Sequence, residues 1–316
     1  PPPNRLRKSL FPSPGIHSSP VHEALFIKRK LMTNDCVIFS PKNPLPQPNA
    51  LRYTAFMNLK ITWFLTFLLI CLMPPVLGEE KKAQSATEKI YSGKKLKVLL
   101  ITGGCCHNYI FQSTALSQGI EERVNAEFTV INEGGKGTRA QIPFYDDPKW
   151  ADPYDVVIHN ECFADTTDAE YIRKITEVHK AGKPAVVIHC AMHTYRSAKI
   201  DDWRLFLGVT SRRHEHKSRY TVIPFAKEHP IMKGFPEKWI TPKDELYVID
   251  KLWPETKPLA YSTSERTGKK HAVIWTNTYG KARVFGTTYG HADDTFRDDV
   301  FINLLARGTA WAAGKL

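Results

Sequence analysis

The chain has 316 residues, with 44 Lys and Arg against 32 Asp and Glu, and a formal net charge of +12. Residues 1–60 contribute seven of these charges (nine Lys and Arg minus two Asp and Glu), which leaves an excess of five on residues 79–316. Because nucleic-acid-binding proteins usually concentrate their positive charge on one face, such a mild and scattered excess argues against a nucleic-acid partner.

The first 78 residues are expected to lie outside the folded domain. Residues 1–56 are rich in proline and poor in long apolar runs, which predicts a disordered or spurious N-terminal extension. Residues 57–78 combine Lys60, an apolar run at 61–73 and a small C-terminal residue, which is the layout of a signal peptide. The run is shorter than the about 20 residues that a bilayer span needs. We therefore predict an exported protein, periplasmic or extracellular, with no stable membrane insertion after cleavage and a linker at 79–94.

The first predicted strand, at 97–101, is followed by a Gly-Gly-Cys-Cys-His sequence. Apolar residues at helical spacing then predict an amphipathic helix at 111–123, and a second strand follows at 128–132. The two glycines let the backbone approach a ligand closely, so Gly103 and Gly104 are candidate substrate-binding residues.

Two further apolar strands end in side chains that bind metals or transfer protons. These side chains are His159 and Glu161 at the end of the strand at 155–160, and His189, Cys190 and His193 at the end of the strand at 185–189. Because strand side chains alternate, His159 and Glu161 are expected on the same face. Between the two strands, a capping box of Thr167 and Glu170 predicts the start of a helix that ends before Gly182.

The C-terminal half is richer in strands than the first half. Runs of β-branched and aromatic residues between turn residues predict strands at 219–225, 247–249, 258–262, 271–276 and 283–288. A last helix at 298–311 is expected to cover the final parallel strand. The basic run at 212–217 is interpreted as a loop or as the rim of a pocket for an anionic substrate.

The alternation of strands and helices determines the predicted fold class. Strands that are joined through helices of this length pair in parallel, with right-handed crossovers. We therefore predict an α/β fold with a doubly wound, mostly parallel sheet and extra strands in the C-terminal half.

Four motifs, in their order along the chain, carry a family resemblance. They are Lys97-Val-Leu-Leu-Ile-Thr-Gly-Gly104 with His107, His229-Pro230-Ile231, Asp244-Glu-Leu-Tyr247, and Gly280-Lys-Ala-Arg-Val-Phe-Gly-Thr-Thr-Tyr-Gly-His291. With these motifs the chain resembles the ThuA-like family, named for trehalose utilisation, and we expect one ThuA-like domain at 95–316. The resemblance implies a flavodoxin-like fold akin to class I glutamine amidotransferases, and an association with carbohydrate metabolism. It also makes Glu245 and Tyr247 candidates for acid/base chemistry or for binding sugar hydroxyls.

The predicted sheet gathers distant side chains into one site. Since the carboxyl ends of parallel strands share an edge, residues that follow different strands meet in one crevice. The candidate catalytic residues are His107, His159, Glu161, His189, His193, Glu245 and His291. The candidate substrate-binding residues are Gly103, Gly104, Tyr195, Arg196 and Tyr247, of which Tyr195 and Arg196 follow His193 at the expected pocket mouth.

Part of this set is suited to a divalent metal such as zinc. Neutral imidazoles and a carboxylate are zinc ligands, and the candidate ligands are His159, Glu161, His189 and His193. A metal-free acid/base cluster is the alternative, and histidines that only cap strands or bond to backbone carbonyls are a third interpretation. No nucleotide is expected, because neither GxGxxG nor GxxxxGK[ST] is present after the first strand. No haem is expected either, because the sequence lacks CxxCH.

Cysteines offer two further expectations. Cys190 falls where the amidotransferase-like fold places its nucleophilic cysteine, but Ile188 and Met192 occupy positions where a nucleophile elbow has glycines. A small buried apolar role for Cys190 is therefore the other interpretation. The neighbouring strand ends predict one disulfide between Cys162 and either Cys105 or Cys106.

These features lead to one functional hypothesis and two alternatives. The hypothesis is an exported enzyme that acts on a small sugar or oxidised-sugar derivative by hydrolysis, isomerisation or elimination. The alternatives are a non-catalytic carbohydrate-binding or scaffold module and a Cys190-dependent hydrolase.

Overall fold

The computed structural model describes residues 89–316. The predicted extension at 1–56 and the predicted signal peptide at 57–78 lie outside the described residues, as does most of the predicted linker. Within 89–316, no helix is both long enough and apolar enough to cross a bilayer.

Strands and α-helices alternate in the first part of the described region, and strands dominate the second part. The strands are β1 (Tyr91–Gly104), β2 (Val124–Asn132), β3 (Val156–Cys162), β4 (Ala185–Ile188), β5 (Val209–Ser218), β6 (Thr221–Pro224), β7 (Trp239–Ile240), β8 (Asp244–Leu252), β9 (Lys257–Thr263), β10 (Lys270–Tyr279) and β11 (Ala282–Thr287). The helices are α1 (Tyr109–Arg123), α2 (Ala169–Lys180), α3 (Asp202–Leu207) and α4 (Asp299–Ala312).

Five parallel strands form one half of a nine-stranded sheet. Their order is β2-β1-β3-β4-β11, which is the flavodoxin-like order. Every residue of β3 and β4 is buried, because helices cover both faces of this half. The doubly wound parallel sheet predicted from the sequence is therefore confirmed.

The helices divide between the two faces of the parallel strands. On one face, α1 and α4 pack with alternate strand residues such as Leu100 and Ile188. On the other face, α2 and α3 pack with their neighbours Ile101 and Val187. The last helix lies on β11, as expected.

The start of α2 differs from the prediction. The side chain of Asp168, not that of Thr167, caps this helix and accepts hydrogen bonds from the backbone N–H groups of Glu170 and Tyr171. A carboxylate accepts both bonds and also carries the negative charge that a helix N-terminus favours, so it displaces the predicted Thr167 cap.

Antiparallel strands extend the sheet beyond β11 in the order β10-β9-β6-β7. A separate two-stranded ribbon consists of β5 and β8, also antiparallel. The extra C-terminal strands were predicted, but the expectation that 212–217 forms a loop is wrong, because these residues lie within β5. The ribbon register sets His214 opposite Tyr247.

Candidate active site

Three histidines meet at the carboxyl edge of the parallel strands. His107 follows β1, His189 follows β4 and His291 follows β11. Their ring centroids are separated by 4.9 Å (His107–His189), 4.7 Å (His107–His291) and 5.4 Å (His189–His291). His107 Nε2 lies 3.1 Å from His291 Nδ1, although 184 positions separate the two residues in the chain. Parallel pairing therefore gathers these three predicted residues in one place.

The ribbon adds Glu245, Tyr247 and His214 to the three histidines. Glu245 Oε2 lies 3.2 Å from His291 Nδ1 and 3.8 Å from His189 Nε2. The Tyr247 hydroxyl lies 3.3 Å from His189 Nε2. His214 Nδ1, on the opposite strand, lies 3.4 Å from Glu245 Oε2. Because Glu245 and Tyr247 are two positions apart in β8, strand alternation directs both side chains to the same side.

Asp244 fixes the loop that carries His291. Its buried carboxylate accepts hydrogen bonds from the N–H groups of Glu245, Gly290 and His291 and from the Thr295 hydroxyl. One side chain thus joins the start of β8 to the loop after β11, and it holds Glu245 and His291 in place relative to each other.

Hydrogen bonds outside the cluster orient two of the imidazoles. His189 Nδ1 donates to the backbone carbonyl of Thr288 at 2.7 Å. His107 Nδ1 donates to the Tyr109 hydroxyl at 3.1 Å, because that hydroxyl donates in turn to the carbonyl of Cys105 at 3.2 Å. The Nε2 lone pairs of His107 and His189 are therefore directed into the cluster, where they face His291 Nδ1 and the Tyr247 hydroxyl. Metal-binding histidines are commonly oriented in this way.

Burial keeps these imidazoles neutral. Burial lowers the pKa of His107 to about 4, and the neighbouring His291 adds to the effect. Burial also lowers the pKa of His189 well below its usual value, with a contribution from His107. For Glu245, burial favours the protonated form, but the hydrogen bond from His291 and the electrostatic interactions with the neighbouring histidines outweigh it and lower the pKa of this carboxyl. At neutral pH, His107 and His189 are therefore neutral imidazoles beside the Glu245 carboxylate.

The cluster lines a cavity of about 200 Å³. Four cysteines, Cys105, Cys106, Cys162 and Cys190, line part of its wall, and Arg196 contributes a cation. Pockets for drug-sized ligands usually measure about 300–1,000 Å³. The smaller volume here suits a small molecule.

His159 and Glu161 do not join this cluster. Both side chains are fully buried in the core beneath α2 and α3, where the His159 ring contacts Trp203 and Phe206 edge-on. The expectation that they share a pocket with His107 and His189 is therefore wrong, and the four predicted metal ligands His159, Glu161, His189 and His193 are not brought together. The physical reason is strand length: β3 continues to Cys162, so His159 lies in the middle of the strand and not at its end.

His159 and Glu161 instead belong to a buried chain of hydrogen bonds. Glu161 Oε1 lies 2.9 Å from His159 Nδ1, and His159 Nε2 lies 3.0 Å from His179 Nε2. His179 Nδ1 donates to the carbonyl of Lys183 at 2.8 Å, and burial lowers the pKa of His179 well below its usual value. A neutral His179 accepts at Nε2, so His159 donates there. One proton must then lie between His159 and Glu161, either on the carboxyl group or on the ring.

The remaining predicted residues have different positions. His193 lines the pocket, stacks on Tyr247 with centroids 4.0 Å apart, and has its pKa lowered to about 3 by burial. Arg196 also lines the pocket, whereas Tyr195 is buried in the core against Trp203. Gly103 and Gly104 border a neighbouring cavity instead of this pocket.

Gly104 has a structural reason to be glycine. Its φ is +93°, and a Cβ there would lie 2.3 Å from the carbonyl oxygen of Cys162. Only glycine allows β1 and β3 to approach so closely at their ends.

The cysteines pair differently from the prediction. Disulfides join Cys105 to Cys106 and Cys162 to Cys190, so the predicted link from Cys162 to Cys105 or Cys106 is wrong. Cys190 follows β4, which pairs with the strand that ends at Cys162, and it therefore reaches that sulfur from the other side. Because the Cys190 sulfur is bonded, Cys190 is not a nucleophile in this state.

Sequence reasoning missed three residues of the site. His214 lies in a basic run whose composition predicts a loop or pocket rim, although its alternation with Glu215 and His216 is also compatible with a strand. Asp244 begins the Asp244-Glu-Leu-Tyr247 motif, but its hydrogen-bonding role depends on a contact with Gly290, 46 positions away in the chain. Tyr109 gave no signal, since a tyrosine at a helix start is common.

Solved structures of two bacterial proteins are similar to this chain. A ThuA-like protein from Parabacteroides merdae is 25% identical with a TM-score of 0.55, and the match covers 71% of this chain and 92% of that one. A ThuA-like protein from Bacteroides uniformis is 15% identical with a TM-score of 0.53, with coverages of 70% and 93%. No curated protein matches the sequence. The family model described as trehalose utilisation matches residues 97–312, and the chain therefore belongs to the ThuA family.

Proposed function

We propose that this protein is an enzyme that acts on a small sugar or oxidised-sugar derivative, with His107, His189, His291 and Glu245 as its catalytic centre. One observation carries the proposal: ligand-capable nitrogens of the three histidines lie within 4.8 Å of one another, beside a carboxylate. Because the sequence predicts a signal peptide, we propose that the reaction takes place outside the cytoplasm.

The three histidines also fit a divalent metal ion. Zinc lies about 2.0–2.1 Å from an imidazole nitrogen, so two tetrahedral ligands are roughly 3.4 Å apart, close to the 3.1 Å between His107 Nε2 and His291 Nδ1. The lone pairs of His107 and His189 are already directed inward by the bonds to Tyr109 and Thr288. A divalent ion held by the three histidines would polarise a substrate carbonyl or lower the pKa of bound water.

Glu245 and Tyr247 supply complementary proton-transfer groups. The lowered pKa of Glu245 keeps its carboxylate ready to accept a proton. Burial, reinforced by the charge of Glu245, raises the pKa of Tyr247 well above its usual value, so its hydroxyl stays protonated and donates hydrogen bonds. A base and a neutral donor on one strand suit enolisation, isomerisation or elimination next to a carbonyl.

Two further features support a sugar-derived substrate. The family description, trehalose utilisation, concerns sugar metabolism. The pocket combines a polar side of imidazoles and carboxylate with a sulfur-lined wall, and Arg196 suits a ligand that carries a carboxylate or another anionic group. A pyranose derivative has the matching polar edge and apolar C–H face.

Metal analysis of the purified protein tests the proposal. We expect a stoichiometric divalent ion, and we expect His291→Ala to weaken zinc affinity by more than the roughly 10–100-fold typical of residues that only orient a ligand. Tyr109→Phe, which removes the acceptor for His107, should fall within that smaller range. The control His216→Ala changes an exposed residue paired with Glu265 and should leave metal content and turnover unchanged.

Turnover of oxidised mono- and disaccharides is measured with the same variants. A protein that holds no metal and whose turnover survives both His291→Ala and Glu245→Gln would contradict the proposal. Sugar binding without any turnover would support the carbohydrate-binding module instead. A Cys190-dependent hydrolase is not favoured, because Cys190 is bonded to Cys162.

A further inference from the structure

Four cysteines line one side of the pocket and differ in their exposure to solvent. Cys106 is exposed and Cys105 is half-buried. Cys162 and Cys190 are buried, with 3% and 5% of their surfaces exposed. A disulfide joins the two outer cysteines and another joins the two inner ones.

The two disulfides are in contact. Cys105 Sγ, from the outer pair, lies 3.7 Å from Cys162 Sγ of the inner pair. The sheet itself sets this contact, since Gly104 is the register partner of Cys162 and the Cys105 N–H donates to the Cys162 carbonyl at 3.3 Å. The two sulfurs therefore stay adjacent whichever disulfide is open.

We propose that the four cysteines form a thiol–disulfide relay, in which a small external thiol reacting at Cys106 replaces the Cys162–Cys190 disulfide by a Cys105–Cys162 disulfide and frees Cys190. The relay does not depend on the function proposed above. It requires only the exposure of Cys106, the burial of the inner pair and the contact between the two pairs.

Each step exchanges one sulfur–sulfur bond for another. The external thiolate attacks Cys106 Sγ, forms a mixed disulfide with it, and releases Cys105 as a thiolate. Cys105 attacks the adjacent Cys162 Sγ, so that the Cys105–Cys162 bond forms, the Cys162–Cys190 bond breaks, and Cys190 leaves as a thiolate that takes up a proton. A second external thiol then displaces Cys106 from the mixed disulfide. In total, two external thiols become one disulfide, and the protein exchanges two disulfides for one disulfide and two thiols.

Burial explains why the inner disulfide is reached through the outer one. An external thiol must line up with the bond that it attacks, and both inner cysteines are almost fully buried, whereas Cys106 is exposed. Cys105 Sγ already lies 3.7 Å from Cys162 Sγ inside the protein. The product places a free Cys190 thiol on the wall of the histidine pocket, so the redox state outside the protein changes the chemistry available inside it.

Cys106→Ser tests the central step without any reductant. In this variant Cys105 has no partner, so it should attack Cys162 spontaneously. Peptide mapping of the non-reduced protein should then reveal a Cys105–Cys162 link and alkylation at Cys190. The matched control Cys105→Ser lacks the attacking sulfur and should keep Cys162–Cys190, with alkylation at Cys106 alone. An intact Cys162–Cys190 pair in Cys106→Ser would overturn the relay.

Wild-type protein provides a test that does not rely on a variant folding. The protein is incubated with reduced glutathione, quenched in acid, unfolded and labelled. Cys190 should become labelled only in molecules in which Cys106 carries glutathione or label, and those molecules should contain the Cys105–Cys162 link. Release of Cys190 while Cys105–Cys106 stays intact would show direct reduction of the inner disulfide and would reject the proposal.

Discussion

His159 and Glu161 form a buried pair in which each side chain depends on the other for a hydrogen bond. Both side chains are 0% exposed, their contact measures 2.9 Å, and the second oxygen of Glu161 has no hydrogen-bond partner among the described residues. A buried pair of this kind contributes little compared with apolar residues of the same size, but removal of one partner leaves the other polar group stranded. Replacement of one residue alone should therefore destabilise the protein more than replacement of both.

Substitution of His159 tests this dependence. We expect His159→Leu to lower the free energy of unfolding by about 3–5 kcal/mol, because Glu161 loses its partner in an apolar core. The double variant His159→Leu/Glu161→Leu should recover part of the loss, because it removes the unpaired Glu161 but still leaves His179 Nε2 without its donor. The exposed control His216→Leu should change stability by less than about 0.5 kcal/mol. Urea denaturation measures all three. A single variant as stable as the wild type, or a double variant less stable than the single one, would contradict the account.

At the scale of elements, Asp244 connects β8 to the loop after β11. Asp244→Ala leaves four donors without their acceptor, and each unsatisfied buried donor costs about 1–3 kcal/mol. We expect a loss of at least about 3 kcal/mol of stability, together with misplacement of Glu245 and His291. Thr295→Val removes a single donor and should cost about 1 kcal/mol. Equal urea midpoints for the two variants would show that Asp244 does not fix this junction.

Strand ends determine which parts of the site are predictable from sequence. The apolar runs identify β1, β3, β4 and β11, and parallel pairing then places His107, His189 and His291 at one edge. The prediction fails for His159 because the change from apolar to polar residues predicts a strand that ends at 160, with His159 at its end, whereas pairing with β1 continues to Cys162. A polar residue can be buried inside a strand when a packed helix supplies a hydrogen-bond partner, and here His179 of α2 is the partner of His159. The sequence of β3 alone does not predict this contact.

The ribbon of β5 and β8 depends on pairing over a longer distance. His214 reaches the site only because β5 pairs with β8 in the register that sets it opposite Tyr247. The register contains irregularities between Ser211 and Arg213 and between His214 and Lys217, so it does not follow simple alternation. The sequence therefore predicts the parallel framework of the site better than the ribbon that completes it.

For the molecule as a whole, buried neutral histidines at the carboxyl edge of the sheet and in α2 couple folding to pH. Burial lowers the pKa of His107 to about 4 and that of His193 to about 3, and it lowers the pKa values of His179 and His189 well below their usual range. In the unfolded chain each of these groups has a pKa near 6.5. Below about pH 6.5 the unfolded state therefore binds protons that the folded state does not, so acid favours unfolding.

We expect the free energy of unfolding to be nearly constant above pH 7 and to fall between pH 6.5 and 5. Each such histidine contributes a slope of up to about 1.4 kcal/mol per pH unit. Urea denaturation across this range, in the presence of a chelator so that metal release does not contribute, measures the slope. His193→Gln should reduce it by roughly one proton, whereas His216→Gln, at an exposed ion pair with Glu265, should not. A flat profile down to pH 5 would mean that the folded protein protonates these histidines as readily as the unfolded chain, which is incompatible with their burial as neutral groups.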